Sequence, residues 1–328
     1  MKRLVALLLA LVQPQPAFAY LHFGQTVNGK TVTVKWAQTP RYYVNAQSAL
    51  PGVTPADFES TIAKAFATWE AVPTATIAYQ FAGVTSAQPG DDDGLSVLGF
   101  RARPDLDRVL ASTDFVLDDA TGEVIESDIF FNASFAWSVA PNGESGKYDL
   151  QSIATHEIGH FGGLGHSALG ETELRDGGGR VVISAEAVMF PIAFTAGSIA
   201  ARTLKADDIA GITDLYPTAD AAGLGSLSGR VAKAGQPLFG AHVVAIDVAT
   251  GQMVGGFALT AQGEFSIGGL SPGPHIVRVE PLDDADLDSF FSSSATVDLN
   301  FRVAFLDRLV VVPRGGDTGA VAIGVVPK

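Results

Sequence analysis

The chain has 328 residues, of which 47% are hydrophobic, and its 35 acidic and 21 basic side chains give a formal net charge of −14. This length and apolar content exclude a wholly disordered chain and suggest one large domain or two ordinary ones. The absence of cysteine excludes disulfides, thiolate metal ligands and a cysteine nucleophile, and the acidic charge argues against nucleic acid and anionic membranes as partners. Any metal site must therefore use histidine and carboxylate ligands.

The N-terminal residues have the pattern of a secretory signal peptide. Lys2 and Arg3 precede an apolar run over 4–12, and Ala17-Phe18-Ala19 offers a small-residue cleavage site. This apolar run is too short to cross about 30 Å of hydrocarbon, so we expect no stable membrane insertion. We expect residues 1–19 to be cleaved after Ala19 and the protein to be secreted, either extracellular or periplasmic. Export without cysteine is consistent with a bacterial protein.

The pattern of residues 20–218 predicts an α+β domain. Alternating apolar residues predict strands over 31–36, 77–81, 109–117 and 128–131. Helical spacing predicts one helix from Pro55, one over 150–161 and one over 207–216. Thr54 has the chemistry of an N-cap, and Pro55 is well suited to the first helical position.

The pattern changes after residue 218. Residues 219–227 are small and glycine-rich, which predicts a linker. Over 228–328, short alternating runs are separated by glycine and proline turns, and no amphipathic helix is evident. Evenly spaced short strands of this kind are typical of an all-β sandwich domain.

The chemistry concentrates in an eleven-residue motif, H-E-x-x-H-x-x-G-x-x-H, that begins at His156. His156 and His160 lie four residues apart on a predicted helix, so they share one face and can reach a single zinc ion. Gly163 can adopt a positive φ, which allows the chain to turn and bring His166 back as the third ligand. Three histidines leave the fourth zinc position for water, and Glu157 can accept a proton from that water.

A shorter H-E-x-x-H motif occurs by chance on solvated helices, whereas a glycine and a third histidine at fixed offsets are far more demanding. The motif therefore predicts one catalytic zinc ion. The other three histidines, His22, His242 and His275, are isolated in the sequence, and we interpret them as structural or surface residues.

Beyond this motif, the chain resembles the metzincin metalloproteases, specifically the matrixin branch. Residues 187–191, Ala-Val-Met-Phe-Pro, are similar to the family's Met-turn, and residues 207–216 are similar to its terminal helix. The resemblance covers about residues 31–217. It implies a metzincin catalytic domain, in which a twisted mixed sheet carries a long active-site helix.

The resemblance also implies roles for individual residues. Met189 would support the zinc site from beneath, and Pro191 and Ile192 would line the substrate pocket. Asp128 falls where the family offers a calcium ligand, although a solvated acidic surface is the alternative for the acidic loops. The segment between His166 and Met189 is longer than the family's usual link, and we expect it to reshape the pocket.

The second half resembles carboxypeptidase-regulatory-like and related Ig-like sandwiches through the turns at 228–231, 235–241 and 263–273. For this half the resemblance implies attachment to a surface or to matrix, and the alternative is an appendage that serves only folding and stability.

These observations predict a secreted zinc endopeptidase that cleaves proteins or peptides, with Glu157 as the general base. An alternative is a weak or inactive matrixin-fold adhesin whose sandwich mediates attachment. A second alternative is a metal-dependent hydrolase of non-peptide substrates. Intact Glu157 argues against the adhesin.

Overall fold

The computed structural model describes residues 3–5, 22–27, 30–45, 50, 52–176, 178–291 and 295–328. The predicted signal peptide, residues 1–19, lies outside the described residues except for a three-residue strand. Among the described residues, no helix has both the length and the apolar character that spanning a membrane requires.

The first half of the chain, up to residue 218, combines a few helices with many strands, consistent with the predicted α+β class. The residues after 218 are called the second half. The described helices are α1 (Pro55–Glu70), α2 (Leu150–Phe161) and α3 (Ala206–Leu215). The strands before α2 are β1 (Arg3–Val5), β2 (Gly24–Val27), β3 (Lys30–Thr33), β4 (Arg41–Asn45), β5 (Gln80–Val84), β6 (Ser96–Arg101), β7 (Ala111–Leu117), β8 (Val124–Asn132), β9 (Trp137–Ser138) and β10 (Tyr148–Asp149). Strands β11 (Gly170–Leu174) and β12 (Arg180–Ala185) follow α2.

The main sheet of this half is mixed, as predicted. Its strand order is β1-β7-β8-β6-β4-β5. Strands β5, β4, β6 and β8 run parallel, whereas β7 is antiparallel to β8 and β1 is antiparallel to β7. The strands β2 and β3 form a separate hairpin.

Helix α1 begins where its sequence signals predicted. The Asp57 amide donates to Thr54 Oγ1 and the Thr54 amide donates to Asp57 Oδ2, so two otherwise unpaired amides are satisfied. The apolar face of α1 is buried against α2 and the sheet. Trp69 links the helices, because its indole N–H donates to the Thr155 carbonyl at 2.8 Å.

The observed strands differ from the predicted ones at several points: β3 ends at Thr33 and not at residue 36, and β4 was not predicted. The strand expected over 77–81 is displaced to β5, where it pairs with β4. Strand β6 was not predicted, because it is buried along most of its length and so lacks the alternation that marks a half-exposed strand. Residues 91–94 form a loop without helix or strand.

The segment between His166 and Met189 folds as the antiparallel hairpin β11–β12. Gly170 begins this hairpin, and a Cβ there would lie 2.6 Å from the Phe190 ring. A glycine is therefore needed at this close approach.

The second half consists of strands grouped in two sheets. These strands are β13 (Gly225–Lys233), β14 (Gln236–Pro237), β15 (His242–Asp247), β16 (Met253–Phe257), β17 (Glu264–Leu270), β18 (Gly273–Glu280), β19 (Ala304–Phe305), β20 (Val310–Val312) and β21 (Val321–Val325). One sheet contains β14, β13, β17 and β21, and the other contains β16, β15, β18, β19 and β20. Their inward residues share one apolar core.

The expected linker contains defined structure. Residues Ala219–Gly223 form a 3₁₀ turn, and β13 begins at Gly225, three residues before the predicted start of the second domain. The two halves also share an apolar cluster, in which Ala168 and Phe190 of the first half are buried with Phe257 and Phe291 of the second. The second half therefore packs directly against the first.

Candidate active site

Helix α2 and the turn that follows it bring the three motif histidines together. The ring centroids of His156 and His160 lie 4.7 Å apart, and those of His160 and His166 also lie 4.7 Å apart. Gly163 has φ 102°, the positive value that the sequence predicted, and a Cβ there would lie 2.5 Å from the Val34 carbonyl oxygen. The turn thus depends on glycine both for its φ and for its packing.

Each of the three rings is oriented by a backbone carbonyl. His156 Nδ1 lies 2.7 Å from the Val188 carbonyl oxygen, and His160 Nδ1 lies 2.7 Å from the Leu164 carbonyl oxygen. His166 Nδ1 lies 2.9 Å from the carbonyl oxygen of Ser289, which belongs to the second half. A carbonyl oxygen can only accept, so Nδ1 of each ring carries the proton and donates. The Nε2 lone pair of each ring is therefore free to bind a metal.

The free nitrogens converge in a buried environment. One ring nitrogen from each histidine lies within 4.8 Å of the others, and His160 Nε2 is 3.2 Å from His166 Nε2. Burial lowers the pKa of His156 to about 3 and also lowers those of His160 and His166, so all three rings are neutral near pH 7. Neutral imidazoles with converging lone pairs form a donor set that fits zinc.

Glu157 lies on α2 next to this cluster, without being part of it. Its Oε2 accepts a hydrogen bond of 2.7 Å from the Thr113 hydroxyl on β7. Burial raises the pKa of Glu157 to about 7, an effect that the Thr113 hydrogen bond opposes and nearby Asp114 reinforces. A carboxyl group that titrates near neutral pH is suited to proton transfer.

Met189 packs against α2. A Cβ at Gly159 would clash with Met189 Sδ and approach the Trp69 ring to 2.7 Å. The amides of Val188 and Met189 both donate to the Asp208 carboxylate, at 2.8 and 3.0 Å. Helix α3 therefore holds the turn that carries both Met189 and the carbonyl partner of His156.

The other predicted site residues have less direct relations to the cluster. Pro191 and Ile192 follow Met189 and are partly buried, and Ile192 packs against the apolar cluster shared by the two halves. Asp128 accepts from the amides of Val97, at 2.7 Å, and Gly90, at 2.5 Å. One oxygen thus holds Gly90 in the loop before β6, and the other holds Val97 within β6.

These contacts give no support to calcium at Asp128. Within the described ranges, the three motif histidines form the one group of three or more histidine or acidic side chains placed to share a metal.

The remaining histidines have structural environments, as predicted. His22 Nε2 lies 3.7 Å from an Asp214 carboxylate oxygen, and His242 Nδ1 lies 2.9 Å from Glu280 Oε1. His275 Nδ1 donates to the Gly273 carbonyl at 3.0 Å.

Three contributors to the site were not predicted from the sequence. Thr113 lies 44 residues from Glu157 and carries no motif. Asp208 lies in the first turn of α3, where an acidic residue is common and gives no sign of its contact with residues 188 and 189. Ser289 contributes a main-chain carbonyl, which no side-chain pattern could reveal.

The first half of the chain is similar to matrixin-type metalloproteases. Residues 35–175 match the family model described as Matrixin, Peptidase_M10. Metalloendoproteinase 1 of Glycine max is 32% identical over 175 residues, which cover 48% of this chain and 45% of that protein. Metalloendoproteinase 1-MMP of Arabidopsis thaliana is 29% identical over 206 residues, which cover 58% of this chain and 45% of that protein.

The chain thus spans about 45% of the length of these curated relatives. A solved structure described as a putative carbohydrate binding protein from Bacteroides uniformis aligns with 31% of this chain and 41% of its own, at 17% identity and a TM-score of 0.21. That similarity is too weak to bear on fold or function.

Proposed function

We propose that the protein is a secreted zinc endopeptidase, with one catalytic zinc ion held by His156, His160 and His166. One observation carries the proposal: carbonyl groups fix the Nδ1–H tautomer of all three rings, so that three neutral Nε2 atoms converge beside buried Glu157. The matrixin match over residues 35–175 and the two metalloendoproteinase relatives support it at the level of the family.

A zinc ion at these nitrogens would polarise the scissile carbonyl and lower the pKa of bound water. Glu157 acts as the general base that removes a proton from the attacking water and then delivers it to the leaving amine. The Thr113 hydroxyl orients this carboxylate by its hydrogen bond to Oε2. The carboxyl group is buried, so bulk water has little access to it.

The substrate in this proposal is an extended segment of a protein or peptide. Strand β7, which carries Thr113, offers its outer edge to the antiparallel strand Arg3–Val5. An extended chain can pair with such an edge through main-chain hydrogen bonds, which do not depend on its sequence. Side-chain preference would then arise near Pro191 and Ile192.

The remaining parts of the proposal concern location and architecture. The N-terminal pattern of residues 1–19 supports secretion with cleavage after Ala19. The two sheets that share one core support a β-sandwich over 228–328.

The test is digestion of an unfolded protein mixture by the full chain and by Glu157→Ala, after bound zinc has been measured for both. We expect one zinc per chain in each protein. The variant should cleave roughly 10²–10⁴-fold more slowly than the wild type. Equal cleavage by both proteins, or none by the zinc-loaded wild type, would reject the proposed activity. The second of these results would favour the adhesin.

A further inference from the structure

The third motif histidine is oriented by the second half of the chain. His166 Nδ1 donates to the carbonyl oxygen of Ser289 at 2.9 Å, across 123 positions of sequence. The corresponding partners of His156 and His160 are Val188 and Leu164, both in the first half. We use the name strap for residues 283–291, the segment that contains Ser289.

The backbone of the strap is ordered by its own hydrogen bonds. Residues Leu287–Ser289 form a 3₁₀ turn. The Ser289 amide donates to the Asp286 carbonyl at 2.9 Å, and the amides of Phe290 and Phe291 both donate to the Leu287 carbonyl. These bonds determine the direction in which the Ser289 carbonyl points.

Aromatic packing anchors the strap to the second half. The rings of Phe290 and Phe291 each lie 5.8 Å from the ring of Phe257, and Phe291 is also 5.7 Å from Phe239. Both strap phenylalanines are buried in the apolar cluster that includes Phe190 of the first half. Burial on this scale restricts the motion of the turn next to them.

The hairpin β11–β12 anchors the strap to the first half. The Thr172 amide donates to Asp284 Oδ1 at 2.8 Å, and its hydroxyl donates to the Asp284 carbonyl at 2.6 Å. Arg180 Nη1 donates to the Asp283 carbonyl at 2.9 Å. The hairpin is the segment whose length departs from the matrixin pattern, and its contacts with the strap give that extra length a structural role.

We propose that the strap is a positioning element of the metal site, so that the second half completes the zinc centre of the first. This inference rests on the proposed zinc binding by the three histidines. The Ser289 carbonyl selects the Nδ1–H tautomer of His166 and restricts rotation of its ring, which directs the Nε2 lone pair toward the other two nitrogens. Loss of such a partner typically lowers metal affinity by about 10–100-fold.

The experiment compares zinc affinity in full-length variants that carry the same truncation at two places. Phe291→Ala removes the anchor of the strap, whereas Phe265→Ala removes an equally buried ring from the other core of the second half; the two rings are 2% and 1% exposed. Zinc Kd is measured by competition with a chromogenic chelator, on protein whose near-ultraviolet circular dichroism matches that of the wild type. We expect Kd to rise about 10–100-fold for Phe291→Ala and less than about threefold for Phe265→Ala.

A milder pair of variants decides the question if Phe291→Ala does not fold. Asp284→Ala removes the side-chain acceptor of the Thr172 amide, and Asp317→Ala removes an acceptor of two serine hydroxyls and an amide elsewhere in the second half. Visible absorption of the cobalt-substituted proteins reports the ligand geometry directly. We expect a shifted cobalt spectrum and a weaker zinc Kd for Asp284→Ala, with neither change for Asp317→Ala.

The outcomes separate this inference from the proposed function. If the wild type binds zinc and cleaves protein while the strap variants retain its Kd and cobalt spectrum, the strap has no positioning role and the endopeptidase stands. Equal losses in strap and control variants would also reject the inference, because general stability would then explain them. A wild type that binds no zinc would reject both.

Discussion

The two ends of the histidine motif are positioned by different parts of the protein. His156 and His160 share one face of α2, and their carbonyl partners lie in the first half. His166 follows the glycine turn, and its carbonyl partner belongs to the strap. One short motif thus combines two histidines positioned by helical periodicity with a third whose orientation depends on distant tertiary contacts.

We expect the hydrogen bonds of Asp208 to be among the strongest determinants of the position of His156, which lies at the helical end of the motif. Its carboxylate accepts from the amides of Val188, Met189 and Lys205. Asp208→Ala would leave these amides without their acceptor, and we expect the free energy of unfolding to fall by at least about 3 kcal/mol in urea titrations. Zinc affinity should also weaken, because the Val188 carbonyl orients His156.

Asp208→Asn provides the matched control, since it retains one oxygen acceptor and should lose less stability. A loss below about 1 kcal/mol for Asp208→Ala would mean that the Met-turn is held by its packing alone.

The contact between the two halves should depend on pH through Asp207. This buried aspartate accepts from the Gly255 amide at 2.7 Å, and burial raises its pKa to about 7 from the ordinary 3.8. Between these values the folded protein binds more protons than the unfolded chain. Its stabilising contribution is therefore fully present below about pH 4 and is lost as the pH rises through about 7.

We expect wild type to lose roughly 2–4 kcal/mol of unfolding free energy relative to Asp207→Asn between pH 4 and pH 8. Urea titrations of both proteins across this range measure the difference. Parallel pH profiles for the two proteins would contradict the expected titration.

Gly159 tests how closely α2 approaches Met189. Alanine usually stabilises a helix interior relative to glycine by roughly 0.5–1 kcal/mol. Here a Cβ would clash with Met189 and Trp69, so we expect Gly159→Ala to destabilise the protein by about 1–3 kcal/mol. Thermal unfolding can measure this loss.

Gly324→Ala on β21 is the control, because a Cβ there has no heavy atom within 4 Å, and we expect a change within about 0.5 kcal/mol. A stabilised Gly159→Ala variant would show that Met189 can move away from the helix.

Much of the fold and of the candidate site could be predicted because the signals were local. Thr54, Pro55 and the apolar spacing after them predicted α1 at its observed start. The predicted bounds of the motif helix are those observed for α2. The hairpin β11–β12 was missed because it lies in a segment longer than the link usual in matrixins. Strand β6 was missed because it is buried on both faces and so shows no alternation.

The sequence by itself determined which side chains could form the site. Helical periodicity put His156 and His160 on one face, and the absence of a Cβ allowed Gly163 its positive φ. Tertiary structure decided how those side chains are held: by Thr113 for Glu157 and by Ser289 for His166. The physical reason is that backbone carbonyls are present at every residue, so only the folded chain can select which of them a given histidine will meet.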